Sequence, residues 1–444
     1  MSSARAVEAI EGVAVVTDAA GVEGTRTPRR AAPHRGGGRA RRGLLAVTVG
    51  SVLLLATACG SGGSPAGTGS SSSDGVDGGS GDAATAAPNS AAVVTIAPAN
   101  DSTDVDTTGA LRVGVASGRL TSVTVTASDG AVVPGAISAD GSGWAPSGAL
   151  RSGTHYTVAT TAVDSHMVAV SDKSTFTTMT PKNTTIGVFN VDPGATYGVG
   201  MEVSITFTHP VSPSDREAVL KAVTVTAVPS VPVVGHWFGD SRVDFRPESY
   251  WKPGTKVTLH LDLDGVPTAP GTYGKQYKDV KFSIGRRQTS VADSAAHTLK
   301  VYRGGVLYRT LPASLGDPEH TTYNGKMVIS EKDPVVDMNS QTVGLGNAYQ
   351  IKDVPHAMRL TTSGTFTHGN YWRPISTFGS ENTSHGCVGL HDVKGGGDPD
   401  TPAAWFYSHS LVGDVVQVVN SPDKVVAPDN GWNGWNMSWA AWIA

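Results

Sequence analysis

Cysteine is nearly missing from this chain: only Cys59 and Cys387 occur in 444 residues. Long apolar runs are scarce as well. The one continuous stretch, GLLAVTVGSVLLLATA over 43–58, falls short of the ~20 residues that span a bilayer, so no permanent transmembrane helix is expected. Acidic residues are absent from Thr25 to Ala58, while Arg26, Arg29, Arg30, Arg35, Arg39, Arg41 and Arg42 crowd in ahead of that run. Metal-type spacings are also absent. The thirteen histidines form no H-x-H, no H-E-x-x-H and no Cys/His pair suited to zinc, so no metal is expected. The chain as a whole carries a net charge of −4, from 34 basic and 38 acidic residues. Without the eight basic and four acidic residues of 1–58, 26 basic face 34 acidic, a net of −8. Such a surface excludes a nucleic-acid partner, which needs basic patches.

What stands at the N-terminal side is an address. A basic segment followed by an apolar one has the layout of an export signal. The run closes on LATAC and passes into GSGGSPAGTGSSSSDG, which resembles a bacterial lipoprotein signal with Cys59 as the lipidated first residue of the mature chain. Ala56 departs from the leucine usual at that place. Residues 1–58 then read as signal peptide, Cys59 as a lipid anchor to the membrane, and the long lead-in as pointing to a start codon downstream of Met1. Acylation of Cys59 leaves Cys387 without a partner, so no disulfide is expected, although exported proteins often use them. A lone thiol in an oxidising compartment is the odd cysteine that asks for a role.

Residues 59–90 are rich in Gly, Ser, Ala and Asp and read as a flexible tether. From Ala91 the texture changes to short runs such as TSVTVTAS and HYTVATTAV, in which β-branched residues alternate with Thr and Ser. That period of two, broken by Gly, Asp and Pro, predicts half-buried strands of a β-sandwich. A second unit repeats the pattern in EVSITFTH, AVTVTAV and KVTLHLDL. The expected fold is mainly β. Two immunoglobulin-like sandwiches (91–182 and 183–287) precede a third β domain (288–420) and a short Trp-rich cap (421–444). Neither sandwich carries His, Cys or carboxylates at chemical spacing, so both read as rigid spacers. The cap, APDNGWNGWNMSWAAWIA, reads as a short helix filling apolar surface.

Chemistry concentrates in TSHGCVGLH (383–391) and in SGTFTHGNYW upstream, where His368 stands seventeen residues before His385. A free thiol titrates near 8.5, so a nucleophilic Cys387 needs a base, and an imidazole supplies one near neutral pH. Gly386, without a side chain, lets its own N–H and that of Cys387 face a developing oxyanion. His391 and Asp392 follow the motif closely and are weaker candidates for the pocket. GGGDPD (395–400) reads as a loop without the spaced carboxylates of a calcium site.

The string H-G…S-H-G-C, in an exported chain with sandwiches, resembles the L,D-transpeptidases of actinobacterial cell walls, with their YkuD-type catalytic domain. The resemblance runs from Cys59 to the tail. It implies a cysteine-dependent acyltransferase acting on peptidoglycan stem peptides, without cofactor, as a monomer outside the cytoplasm. By this resemblance Cys387 is the nucleophile and His368 the base. Gly369 offers the carbonyl that holds the imidazole, and Gly386 joins Cys387 in donating to the oxyanion. Tyr349 corresponds to a lid tyrosine, Ser363 and Gly364 to a substrate-contacting strand end, and Ser384 and His385 to the nucleophile's loop. Three positions depart from the family. Gly389 stands where Asn or Arg is usual, Gly369 replaces a frequent Ser, and Val343 stands where a second lid aromatic often lies. The resemblance further implies 3→3 cross-links and reaction with carbapenems. An L,D-carboxypeptidase and a non-catalytic wall-binding lipoprotein remain the alternatives.

Overall fold

The computed structural model describes residues 89–444, except 344, 345, 347 and 348 and the side chains of Thr342 and Val343. The expected signal peptide, Cys59, nearly all of the tether, and the side chain of Val343 lie outside the described residues.

Alternation in the sequence becomes alternation in burial. Along His155–Val163, Tyr156, Val158, Thr160 and Ala162 point into the core while His155, Thr157, Ala159 and Thr161 stay in contact with water. This strand pairs antiparallel with Arg119–Ala127 in a four-stranded sheet, bringing Val158 opposite Val125. A second sheet of four strands faces it and closes a core around Leu111, Trp144 and Phe176. The next unit repeats the design, with a larger core around Ile205, Phe245, Leu259 and Phe282. In both units a buried tyrosine hydroxyl ties down a turn: Tyr156 accepts from the Arg151 N–H and Tyr197 from the Asp192 N–H, each at 2.8 Å. Thr107 donates to the Gly265 carbonyl (2.6 Å) across the join between the two units.

Residues 288–419 form one nine-stranded sheet. Its strands are β1 (Gln288–Asp293), β2 (Thr298–Arg303), β3 (Val306–Ser314), β4 (Gly325–Val328), β5 (Glu331–Asn339), β6 (Gln350–Arg359), β7 (Phe366–Asn370), β8 (Val388–His391) and β9 (Val415–Val419), with helix α1 (Pro402–Ser408) before β9. Their spatial order is β4-β9-β1-β2-β3-β8-β7-β6-β5. Most neighbours run antiparallel, but β1 and β9 are parallel, as are β7 and β8, with Thr367 opposite Val388 and His368 opposite Gly389. The histidine of one motif and the cysteine of the other are thereby delivered to adjacent strands.

The C-terminal tail is more than surface filling. Trp442 in the short helix Trp439–Trp442 is buried, and Trp435 donates its indole N–H to the Gly200 carbonyl at 2.7 Å. The buried Arg246 guanidinium lies over the rings of Trp435, Trp439 and Trp442, at 4.7, 5.4 and 4.3 Å from their centres. Desolvated cation–π contacts of this kind contribute ~2 kcal/mol each. Asn433 accepts from the Val328 N–H (3.0 Å) and Asn436 from the Lys326 N–H (2.8 Å), both on β4. The tail thus staples the second sandwich to the nine-stranded sheet. Composition alone could not show this, because exposed and buried tryptophans read alike in sequence.

Candidate active site

Strand pairing sets the geometry. Side chains on one strand alternate between faces, so Phe366, His368 and Asn370 of β7 share a face. Cys387 immediately precedes β8, one step before the Thr367–Val388 pair, which sets it beside Phe366 on that same face. Cys387 and His368 are then diagonal neighbours on adjacent strands, at a range side chains can bridge. Both line one cavity, together with Met338, Tyr349, Ile351, Asn370, Trp372, Arg373, Thr383, Ser384 and His385.

The imidazole is fixed in one tautomer. His368 Nδ1 lies 2.9 Å from the Gly369 carbonyl, which can only accept, so Nδ1 carries the hydrogen and Nε2 keeps a free lone pair. Trp372 stacks on the ring at 5.6 Å with planes 13° apart, holding its orientation. Gly369 must be glycine here, because a Cβ would collide with the Asp392 carboxylate. Asp392 is itself pinned by His356 Nδ1 at 2.7 Å and Thr401 Oγ1 at 3.0 Å. The exchange of Ser for Gly at 369 is therefore a packing adjustment that leaves the carbonyl in place.

The thiol is buried, only 7 % exposed, and packs with Phe366, Met338, Val354 and Ala357. It still faces the cavity, and Sγ lies 3.6 Å from the Gly364 carbonyl. Burial pushes the Cys387 thiol up to about 11, against partial relief from the Phe366 N–H and the charge of Arg359. Burial pushes His368 the other way, below its ordinary value, although the Gly369 carbonyl and Asp392 act against it. At neutral pH the resting forms are therefore a thiol, whose S–H donates to the Gly364 carbonyl, and a neutral imidazole lining the same cavity. Alkylation follows the thiolate fraction. A rise to about 11 makes iodoacetamide react with Cys387 on the order of 100-fold more slowly than with a free cysteine at pH 8. The rate should climb with pH until about 11, which rate measurements with mapping to Cys387 will check.

The loop before the sulfur leaves two backbone N–H donors unused. Gly386 adopts φ +102°, open to glycine and strained for other residues. Ser384 Oγ donates to the Cys387 carbonyl at 2.6 Å and closes the loop. Neither the Gly386 nor the Cys387 N–H has an acceptor among the described residues, so both stay free to donate.

Other expected positions divide. Tyr349 and His385 line the cavity with rings 5.2 Å apart, and burial raises the Tyr349 hydroxyl to about 12. Gly364 stands at the sulfur. Ser363 is not among the cavity-lining residues; it is held by Asn430 of the tail, whose Nδ2 donates to Ser363 Oγ at 2.8 Å. His391 packs on Phe378 instead of lining the cavity, and Asp392 lies against Gly369, next to His368.

Asn370 escaped the sequence reading. It is buried, lines the cavity, and accepts from the Arg373 N–H at 3.2 Å, while its Nδ2 has no acceptor among the described residues. A Cβ at Gly389 would lie 3.7 Å from that same Nδ2, and 3.3 Å from the Ser314 carbonyl. The amide therefore borders the space that the missing side chain at 389 leaves. Its position two residues after His368, on the same strand face, was the available signal.

Comparison with known proteins concerns the chain as a whole. A family model described as the L,D-transpeptidase catalytic domain matches residues 287–418, and one for a bacterial Ig domain matches 102–267. L,D-transpeptidase 2 of Mycobacterium tuberculosis (strain CDC 1551 / Oshkosh) is 32% identical over 336 residues, covering 75% of this chain and 79% of the relative. L,D-transpeptidase 5 of Mycobacterium tuberculosis (strain H37Rv) is 31% identical over 360 residues, covering 79% and 76%. L,D-transpeptidase 1 of the same strain is 33% identical over 239 residues, covering 52% and 85%.

Proposed function

The chain belongs to the L,D-transpeptidases, and from that premise we propose that it joins peptidoglycan stems through a thioester on Cys387. One observation carries the assignment. His368 on β7 and Cys387, immediately ahead of the parallel strand β8, line one cavity, with the imidazole fixed so that Nε2 can take a proton.

His368 Nε2 removes the thiol proton as Sγ attacks the carbonyl before the terminal D-Ala of a tetrapeptide stem. The Gly386 and Cys387 N–H groups steady the oxyanion. The C–N bond to D-Ala then breaks, and the leaving amine takes the proton from His368. A thioester remains, in the ping-pong pattern of covalent catalysis. A side-chain amine of a neighbouring stem attacks it, passing a proton through His368 back to the departing sulfur. The product is a 3→3 cross-link. The free Nδ2 of Asn370 donates to a backbone carbonyl of the stem and replaces a contact that Gly389 cannot make.

The enzyme works outside the cytoplasm against the cell wall. No helix of the described residues is long and apolar enough to cross a membrane. A lipid on Cys59 provides the anchor, and the two sandwiches act as the spacer.

Mass analysis of products from a purified disaccharide-tetrapeptide tests the proposal. Dimers that have lost one D-Ala support it. Tripeptide monomers alone, with an acceptor amine present, assign an L,D-carboxypeptidase instead, and unchanged substrate assigns a scaffold. Asn370→Ala should lower kcat/KM by about 3- to 10-fold, the worth of one neutral hydrogen bond, with iodoacetamide reactivity of Cys387 unchanged. Steady-state kinetics with the tetrapeptide checks this.

A further inference from the structure

Among the described residues, one group of metal-ligating side chains stands beside the catalytic pair. Asp317, His320 and His385 place one ligand atom each within 4.8 Å of one another. They come from two segments that the backbone ties together. The Asp317 N–H donates to the Ser384 carbonyl at 2.8 Å, and Gly316 bridges to Ser384. Gly316 has no room for a Cβ, which would run into the backbone of His320, Thr321 and Thr322. The turn from 316 to 322 therefore closes tightly on itself and sets the His320 ring 4.4 Å from that of His385. Asp317 Oδ1 accepts from the His320 N–H at 2.7 Å and lies 3.1 Å from its Nδ1.

We infer that Asp317, His320 and His385 form a binding site for a divalent ion of the zinc class. Two imidazoles and one carboxylate are donors that Zn²⁺ accepts, and three protein ligands leave a fourth position for water or a substrate group. In a tetrahedral site with bonds of about 2.0–2.2 Å, ligand atoms lie about 3.3–3.5 Å apart. All three residues are only half-buried, so side-chain rotation can close the present spacing while the tied backbone stays still. Hard ions such as Mg²⁺ prefer all-oxygen sites and are disfavoured here.

His385 also lines the cavity of Cys387 and packs on Tyr349. An ion on His385 therefore sits at the cavity edge, immobilises a ring beside the path of the stem peptide, and slows acylation. This second part rests on the proposed catalytic function; the binding site itself does not.

The test uses the full chain carrying Cys387→Ser, so that the sulfur two residues from His385 cannot ligate. Calorimetric titration with Zn²⁺, and visible absorption with Co²⁺, compare it with the same chain carrying in addition His320→Ala or Asp317→Asn. Cys59 is present in every sample and cancels in the comparison. The expected result is a Zn²⁺ ion bound with at least about tenfold higher affinity by the parent than by either variant, and a tetrahedral Co²⁺ spectrum lost from both. Melting temperatures without metal identify a variant that has failed to fold, in which case the other decides. Absence of Zn²⁺ binding by the parent, or equal affinity in a folded variant, overturns the site. With Cys387 restored, Zn²⁺ should slow carbapenem acylation of the native chain and leave the His320→Ala chain unaffected. Equal slowing of both overturns the regulatory role while leaving the site to the binding data.

Discussion

Cys387→Ala abolishes cross-linking and carbapenem acylation, lowering the rate of product formation by at least about 10³-fold, while the thermal transition barely moves. The size of the loss follows from the covalent route: without the sulfur there is no thioester, and the residual oxyanion donors have no nucleophile to assist. Small effects on the fold are expected because the thiol fills little volume in its cluster with Phe366, Val354 and Ala357. Product assays on tetrapeptide stems, with melting curves alongside, check both halves. A variant that still cross-links at a comparable rate would remove Cys387 from the reaction.

His368→Ala has the second largest effect, about 10²–10⁴-fold on acylation, the usual contribution of a positioned base. Its pH dependence separates this role from a structural one. In the native enzyme the base is the neutral imidazole, and burial holds its titration below the ordinary 6.5. Protonation removes the base, so the acylation rate rises with pH through that depressed value and is level above it. Without the imidazole, the only route is the spontaneous thiolate, which burial has made scarce. The rate of His368→Ala should therefore keep climbing with pH toward about 11. Stopped-flow acylation by a carbapenem from pH 5 to 10 distinguishes the two profiles. Parallel profiles for native and variant enzyme would contradict general-base catalysis by His368.

Both predictions depend on features that the sequence shows in different degrees. Strand alternation in HYTVATTAV and KVTLHLDL was legible because burial of one sheet face writes a period of two into the residues themselves. The pairing of His368 with Cys387 was expected from the resemblance of H-G…S-H-G-C to a known family, since His385 and His391 stand much closer to the sulfur in the chain. What remained hidden came from chain segments that meet only in the fold. Asn370 matters because Gly389 lies beside it on the next strand, and that register is absent from a linear reading. Gly369 is compelled by Asp392, more than twenty residues downstream. Spacing rules for zinc found nothing among the histidines, yet Asp317 and His320 meet His385 across a bridge between distant segments. Likewise the tryptophans of the tail resemble surface filling until Arg246, from the second sandwich, is placed beneath three of them.

The proposed acyl-enzyme is open to direct observation. Incubation of the full chain with a carbapenem, followed by intact-mass measurement and peptide mapping, should give one adduct per chain, carried by the peptide containing Cys387 and absent from Cys387→Ala. An adduct on another residue, or an unmodified native chain under conditions where cross-linking proceeds, would contradict a thioester at this sulfur.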